Sequence, residues 1–140
     1  VDANIADKVT KENIKEVVRF AQEFSRKTGA VIAITGAIDL VCNQEKAVAI
    51  ENGHAMMSCI TGTGCQLSAL TASFISANPA HLLEATLAAV CTMGLAGEIA
   101  HTRLTHLDGN ASYRNYIIDA IYNMIPQQLQ EGAKYQEVVF

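Results

Sequence analysis

One segment constrains this fold more than any other: Ala30-Val31-Ile32-Ala33-Ile34 is a continuous apolar run that directly follows a helix-stop glycine, Gly29. A run without polar alternation predicts a strand covered on both faces, as in a parallel sheet flanked by helices. Such a strand needs parallel neighbours, yet it is the only run of its kind and three long apolar helical segments follow it. A complete doubly wound sheet would need several more. The chain is therefore expected to be either an unusual α+β domain or part of a larger α/β fold whose other strands lie upstream.

The flanking elements are legible. A helix is predicted from about Lys11 to Lys27, with Ile14, Val17, Val18, Ala21 and Phe24 on one face. Thr10 is its predicted N-cap and Gly29 its C′ residue. The apolar run ends in Thr35-Gly36, at the edge where open α/β sheets place ligands. Ile38 to Cys42 and Lys46 to Ile50, separated by Asn43-Gln44-Glu45, predict a hairpin. Asn52-Gly53 is a further turn signal. His54 to Ile60 then leads into Thr61-Gly62-Thr63-Gly64-Cys65. Helices are predicted from Cys65 to Ala77 with Pro79 at the end, from Ala80 to Ala100, and from Ser112 to Met124 with Pro126 as the stop. No element is predicted for residues 127–140.

Length and composition narrow the function classes. The 140 residues suit one domain, and with 50% hydrophobic and 17% charged residues the chain can bury a sizeable core. A net charge of -4, without a Lys/Arg cluster, argues against a nucleic-acid interface, and the lack of Trp argues against a base-stacking platform. Val1-Asp2-Ala3-Asn4 has no basic n-region and is read as a segment of a longer chain or a processed start, not a signal peptide. Glu84 and Glu98 interrupt the longest apolar stretches, so no membrane span is expected. Four irregularly spaced cysteines without a CxxC pair read as reduced thiols of a cytoplasmic protein. Cys42, Cys59 and Cys91 have apolar neighbours and are expected in the core. His54 reads as a loop-fixing residue. Glu98 and His101 have the spacing of a di-metal motif, but it occurs once, so a solvated helix end is expected there and no metal ligand is assigned.

Chemistry is concentrated in Thr61-Gly62-Thr63-Gly64-Cys65-Gln66, at the opening of an apolar helix. Glycines let a backbone approach an anion without an intervening Cβ. The first N–H groups of the helix lack intrahelical partners, and the helix dipole adds about half a positive charge there. Together they form an anion site suited to a phosphoryl group in transfer. The same dipole favours the thiolate of a cysteine placed there. From pattern alone, a tight loop with close helix packing explains the glycines equally well. A Walker-type loop is excluded for lack of GxxxxGK[ST], and a dinucleotide fingerprint fails because Leu67 stands at its third glycine.

The stretch Thr61-Gly62-Thr63-Gly64-Cys65-Gln66-Leu67-Ser68-Ala69 resembles the signature of hydroxyethylthiazole kinases, ribokinase-like enzymes of thiamin salvage. Most relatives in the wider superfamily carry Asp where this chain has Cys65. Ala33-Ile34-Thr35-Gly36-Ala37-Ile38-Asp39, Asn52-Gly53-His54-Ala55-Met56-Met57 and Asp119-Ala120-Ile121-Tyr122-Asn123 are similar to family segments in the same order. His101 stands where an acidic or small residue is usual, and Asn110-Ala111-Ser112-Tyr113-Arg114 lacks the usual proline; neither touches the glycine loop. The resemblance implies a ribokinase-like α/β fold represented by its C-terminal half, with residues 1–140 a single segment of a family chain about twice as long. It implies ATP-dependent phosphorylation of 4-methyl-5-(2-hydroxyethyl)thiazole with Mg²⁺, whose acidic ligands are expected in the N-terminal half, and a homotrimer. By the same resemblance Cys65 is the catalytic base, Thr35, Thr63 and Gly64 contact ATP, and Gly62 lies near the thiazole alcohol. Two alternatives stand beside it. One is another ribokinase-like activity, a hydroxymethylpyrimidine kinase or an ATP-dependent nicotinamide-hydrate dehydratase, against which Cys65 argues. The other is a non-catalytic nucleotide-binding fragment.

Overall fold

The computed structural model describes residues 9–140; the Val1-Asp2-Ala3-Asn4 opening lies outside them. The element order is α1 (Ile14–Thr28), β1 (Ile32–Ile34), β2 (Asp39–Cys42), β3 (Ala47–Ile50), a 3₁₀ turn (Ala55–Cys59), α2 (Thr63–Ala77), α3 (Leu82–Thr102), α4 (Asn110–Asn123), α5 (Pro126–Gly132) and β4 (Tyr135–Glu137). The four strands form one sheet in the order β1-β2-β3-β4.

Every neighbouring pair is antiparallel, with Ala33 opposite Val41, Val41 opposite Val48 and Ala49 opposite Gln136. The expected parallel central strand is therefore corrected: β1 is a three-residue edge strand whose residues are half-buried or exposed. Its apolar composition reports a burial preference, not a pairing direction. Only Thr35 to Ile38 separate β1 from β2, and a parallel crossover needs a dozen or more residues. The predicted hairpin is present as β2 and β3 with their ends trimmed.

Alternation along β2 sends its side chains to two helical layers. Leu40 and Cys42 pack with Val17, Val18 and Ala21 of α1. Val41 joins Ile50 of β3 against Leu83, Val90 and Cys91 of α3. The sheet thus lies between α1 and α3. A third cluster joins α3 to α4 through Met93, Ala96, Ala100, Tyr113, Ile117 and Ala120, with Ile60 beside them. By length and composition alone α3 could cross a membrane despite Glu84 and Glu98, but two thirds of its most apolar window is buried inside the protein, as in a core helix.

The ends of α1 follow from local chemistry. Thr10 and Asn13 exchange bonds, Thr10 N–H to Asn13 Oδ1 at 2.7 Å and Asn13 N–H to Thr10 Oγ1 at 3.3 Å, so Thr10 shapes the entry turn while Asn13 occupies the cap position. Gly29 has φ 72° and its N–H donates to Ser25 O at 2.7 Å, as a C′ glycine should. Phe24 is 46% exposed, so the buried face is completed by Ser25, whose Oγ donates to Ala30 O at 2.6 Å. The unassigned tail proves structured: Pro126 stops α4 and also opens α5, since a helix tolerates Pro in its first turn. β4 then pairs with β3, and Glu51 N–H donates to Lys134 O at 2.8 Å.

Asp39 opens β2 beside this edge. Burial lifts its pKa from 3.8 to about 6, even though its Oδ1 accepts the Gly36 N–H at 2.8 Å. Between those values the folded state binds more protons than the unfolded one, so stability falls as pH rises through the window. Asp39→Asn keeps an acceptor for Gly36 and removes the titration. Urea midpoints should show the variant more stable at pH 7 to 8, by about 1–2 kcal/mol after allowing for partial exposure. The difference should vanish near pH 4.

Candidate active site

The route from β3 to α2 is fixed at successive points. Asn52 is buried and its Nδ2 donates to Glu98 Oε1 (3.0 Å) and Gly132 O (2.9 Å), while the Lys134 N–H donates to Asn52 Oδ1 (2.7 Å). Gly53 N–H also donates to Glu98 Oε1 (2.9 Å), and Lys134 Nζ pairs with Glu98 Oε2 (2.7 Å). Burial raises the Glu98 pKa, but Lys134, the Gly53 N–H and the Asn52 amide outweigh it and hold the carboxyl below its ordinary range. The solvated helix end expected here is therefore a half-buried carboxylate bound by three partners. His54 caps the 3₁₀ turn, its Nδ1 accepting the Met56 N–H at 3.2 Å, which bears out its loop-fixing role. Its ring stacks on His101 at 3.6 Å between centroids. Met57 packs on Gly97, whose carbonyl accepts the Tyr113 hydroxyl at 2.9 Å. Asn110 Nδ2 holds Cys59 O at 3.0 Å, and Ile60 is buried.

From this rail the chain enters Thr61-Gly62-Thr63-Gly64-Cys65. Gly62 has φ 96°, a conformation that side-chain-bearing residues adopt only under strain, and it is the N-cap of α2. Its carbonyl accepts the first helical bond from Gln66 N–H at 3.0 Å. No side chain caps the helix from Gly62. The N–H groups of Thr63, Gly64 and Cys65 thus precede the first intrahelical donor and point outward, as an anion site requires. A Cβ at Gly62 or Gly64 would meet nothing within 4 Å, so the protein itself does not crowd the loop. At Gly62 it is the backbone angle, not lack of space, that calls for glycine. Cys65 is exposed in the first turn of α2. Gly62, Thr63, Gly64 and Cys65 therefore share one helix start. Thr35 is exposed on the separate turn after β1, where Asp39 holds Gly36.

Three contributors escaped the sequence reading. Lys134 stood in a tail without an assigned element, 82 residues from Asn52, and no local signal could have paired them. Glu98 could have been suspected only from its place in an otherwise apolar helix. The third is Gln66: both its side-chain polar atoms, like Thr92 Oγ1 on α3, are buried without a hydrogen-bond partner among the described residues. Cys59, expected in the core, is exposed because the 3₁₀ turn buries none of its residues. Cys42 and Cys91 are buried as expected, and burial pushes both thiols up to about 11. Native labelling with a thiol reagent should therefore modify Cys59 and Cys65 and spare Cys42 and Cys91 until the chain is denatured. Rapid native labelling of all four would contradict the packing of β2 against α1 and α3. Among the described residues no group of three His, Cys, Asp or Glu side chains could hold a metal ion.

Known proteins resemble this chain in sequence and in fold. The family model described as "HK: Hydroxyethylthiazole kinase family" matches residues 5–127. A hydroxyethylthiazole kinase of Clostridium acetobutylicum is 56% identical over 136 residues, covering 97% of this chain and 50% of that protein. One of Clostridium tetani is 40% identical over 121 residues, covering 86% of this chain and 43% of that protein. The solved structure of a hydroxyethylthiazole kinase protein from Pyrococcus horikoshii superposes with a TM-score of 0.81 at 29% identity, over 91% of this chain and 48% of that one. The chain spans about half the length of the curated relatives it matches. Its fold is the mixed α/β, ribokinase-like one. With the family model matching most of its length, this chain belongs to the hydroxyethylthiazole kinase family.

Proposed function

We propose that residues 1–140 form the C-terminal part of a kinase that transfers the terminal phosphoryl group of ATP to the hydroxyl of 4-methyl-5-(2-hydroxyethyl)thiazole in thiamin salvage. The observation that carries the reading is the glycine turn at the uncapped start of α2, with Cys65 in its first turn. On this reading Cys65 accepts the proton that the substrate hydroxyl loses as it attacks. The N–H groups of Thr63 and Gly64 face the charge on the transferring phosphoryl group, and Gly62 borders the thiazole alcohol. Thr35 contacts ATP from the turn after β1. Such transfers need positioning and charge stabilisation more than covalent chemistry, so one weak base and a rigid donor loop suffice. The family membership supports ATP and a small alcohol as substrates. Mg²⁺ is proposed as the cofactor, with its acidic ligands in an N-terminal half outside this chain, as the family resemblance implies. A cytoplasmic homotrimer completes the proposal.

The test compares the complete protein with the 140-residue chain in an assay with ATP, Mg²⁺ and hydroxyethylthiazole. Turnover is expected from the complete protein and not from the chain alone. Robust turnover by the chain alone, or none by the complete protein, would refute the reading. Within the active enzyme, Thr35→Val keeps the shape and removes one hydroxyl, so the KM for ATP should rise about fivefold, as expected from losing one hydrogen bond. A rise in the KM for the thiazole alone would refute that assignment.

A further inference from the structure

We infer that Glu98 is a positioning residue of the glycine loop: with Asn52 and Lys134 it forms a clasp that sets where the segment leading to Gly62 begins, and so aims the first N–H groups of α2. This rests on the kinase reading above for its effect on rate, though not for its effect on the loop.

The geometry is specific. Glu98 Oε1 accepts from two donors on the loop segment, Asn52 Nδ2 at 3.0 Å and Gly53 N–H at 2.9 Å. Its other oxygen is taken by Lys134 Nζ at 2.7 Å, and the backbone N–H of the same lysine closes on Asn52 Oδ1 at 2.7 Å. The clasp therefore joins three segments far apart in sequence: the exit of β3, the last turns of α3 and the link from α5 to β4. A surface ion pair contributes little and would not need two backbone contacts. Here the ends of both carboxylate and amide are occupied, so the orientation of Asn52-Gly53 is over-determined. Downstream the rail has three further anchors: His54 on His101, Met57 on Gly97, and Cys59 O on Asn110. Gly62 lies one short step beyond. A donor loop acts on a developing charge only at the right distance, and a displacement near 1 Å can cost about 10²-fold in rate. A displacement at Gly53 is carried along this rail to α2.

The test uses the complete protein and two variants, Glu98→Gln and Lys134→Met. Gln keeps an acceptor for Asn52 and Gly53 but turns an amide, not a carboxylate, toward Lys134. Lys134→Met breaks only the outer pair. For Glu98→Gln, kcat should fall about 10- to 100-fold with the KM for ATP and for the alcohol within about threefold. Amide exchange over residues 53–66 should quicken about tenfold while α1 and β2 keep their protection. Lys134→Met should show the same pattern at about two- to fivefold. Unchanged exchange over residues 53–66, or exchange that quickens equally across the fold, would overturn the inference, as would an unchanged kcat with a loosened loop. A complete protein without any turnover, in which Glu98→Gln still loosens only residues 53–66, would overturn the kinase reading and support the clasp.

Discussion

Replacing Cys65 by Ala in the complete enzyme should cost about 10²- to 10⁴-fold in turnover, the usual contribution of a general base. The loss should be smaller if the transition state is so dissociative that the hydroxyl loses its proton late. The side chain is exposed and packs against nothing that Ala would leave as a cavity. The glycine loop keeps its backbone bonds, Gly62 its angle, and Gln66 N–H its acceptor. The KM for ATP should therefore change little. Cys65→Asp places an anion at the same helix start, where the dipole favours it, and should remain active. Steady-state kinetics of the two variants decide the matter. Equal, near-complete loss in both would make Cys65 a residue whose replacement distorts the loop. Full activity in Cys65→Ala would move the base elsewhere.

Gly94→Ala should destabilise the fold by about 2–4 kcal/mol, although helix propensity alone favours Ala by about 1 kcal/mol. The sign is decided by tertiary contact. A Cβ at Gly94 would lie 2.7 Å from Asn52 Cβ, 2.8 Å from its carbonyl carbon and 2.9 Å from its carbonyl oxygen. These atoms belong to backbone and to the base of a buried side chain in the Glu98 clasp, so they cannot swing aside. Gly97 is the control: the Cβ there would run into the far end of Met57, a flexible side chain, and the cost should be about half as large. Denaturant midpoints of the two variants measure the difference. A neutral or stabilising Gly94→Ala would mean that α3 does not approach Asn52 so closely.

Helices α1 to α4 are legible in the sequence to within a few residues because their signals are local. The spacing of Val17, Val18 and Ala21, the αL glycine at 29 and the prolines at 79 and 126 each act within a turn or two. The hairpin was legible for the same reason, since Asn43 closes its turn through its own side chain, with Glu45 N–H and Lys46 N–H donating to Oδ1 at 2.9 and 2.8 Å. The glycine loop was legible because residue type and backbone demand coincide there: Gly62 needs a positive φ and the helix begins one residue later. These features rest on chain-local geometry, which residue identity determines by itself.

What depends on distant partners was decided only in three dimensions. The apolar run at Ala30 to Ile34 specified burial but could not say that β1 pairs antiparallel at an edge. α2 is apolar in composition, yet none of its residues is fully buried among the described residues. Residues 127–140 carry too little pattern to reveal α5 and β4; β4 becomes a strand because β3 offers it a free row of backbone donors and acceptors. Glu98 reads as a polar residue near a helix end, and only the folding of Asn52 and Lys134 onto it, 46 and 36 residues away, makes it a half-buried hub. Periodicity and turn chemistry act over a few residues and are written in the chain, whereas burial, strand partners and shared hydrogen bonds exist only once distant segments have met.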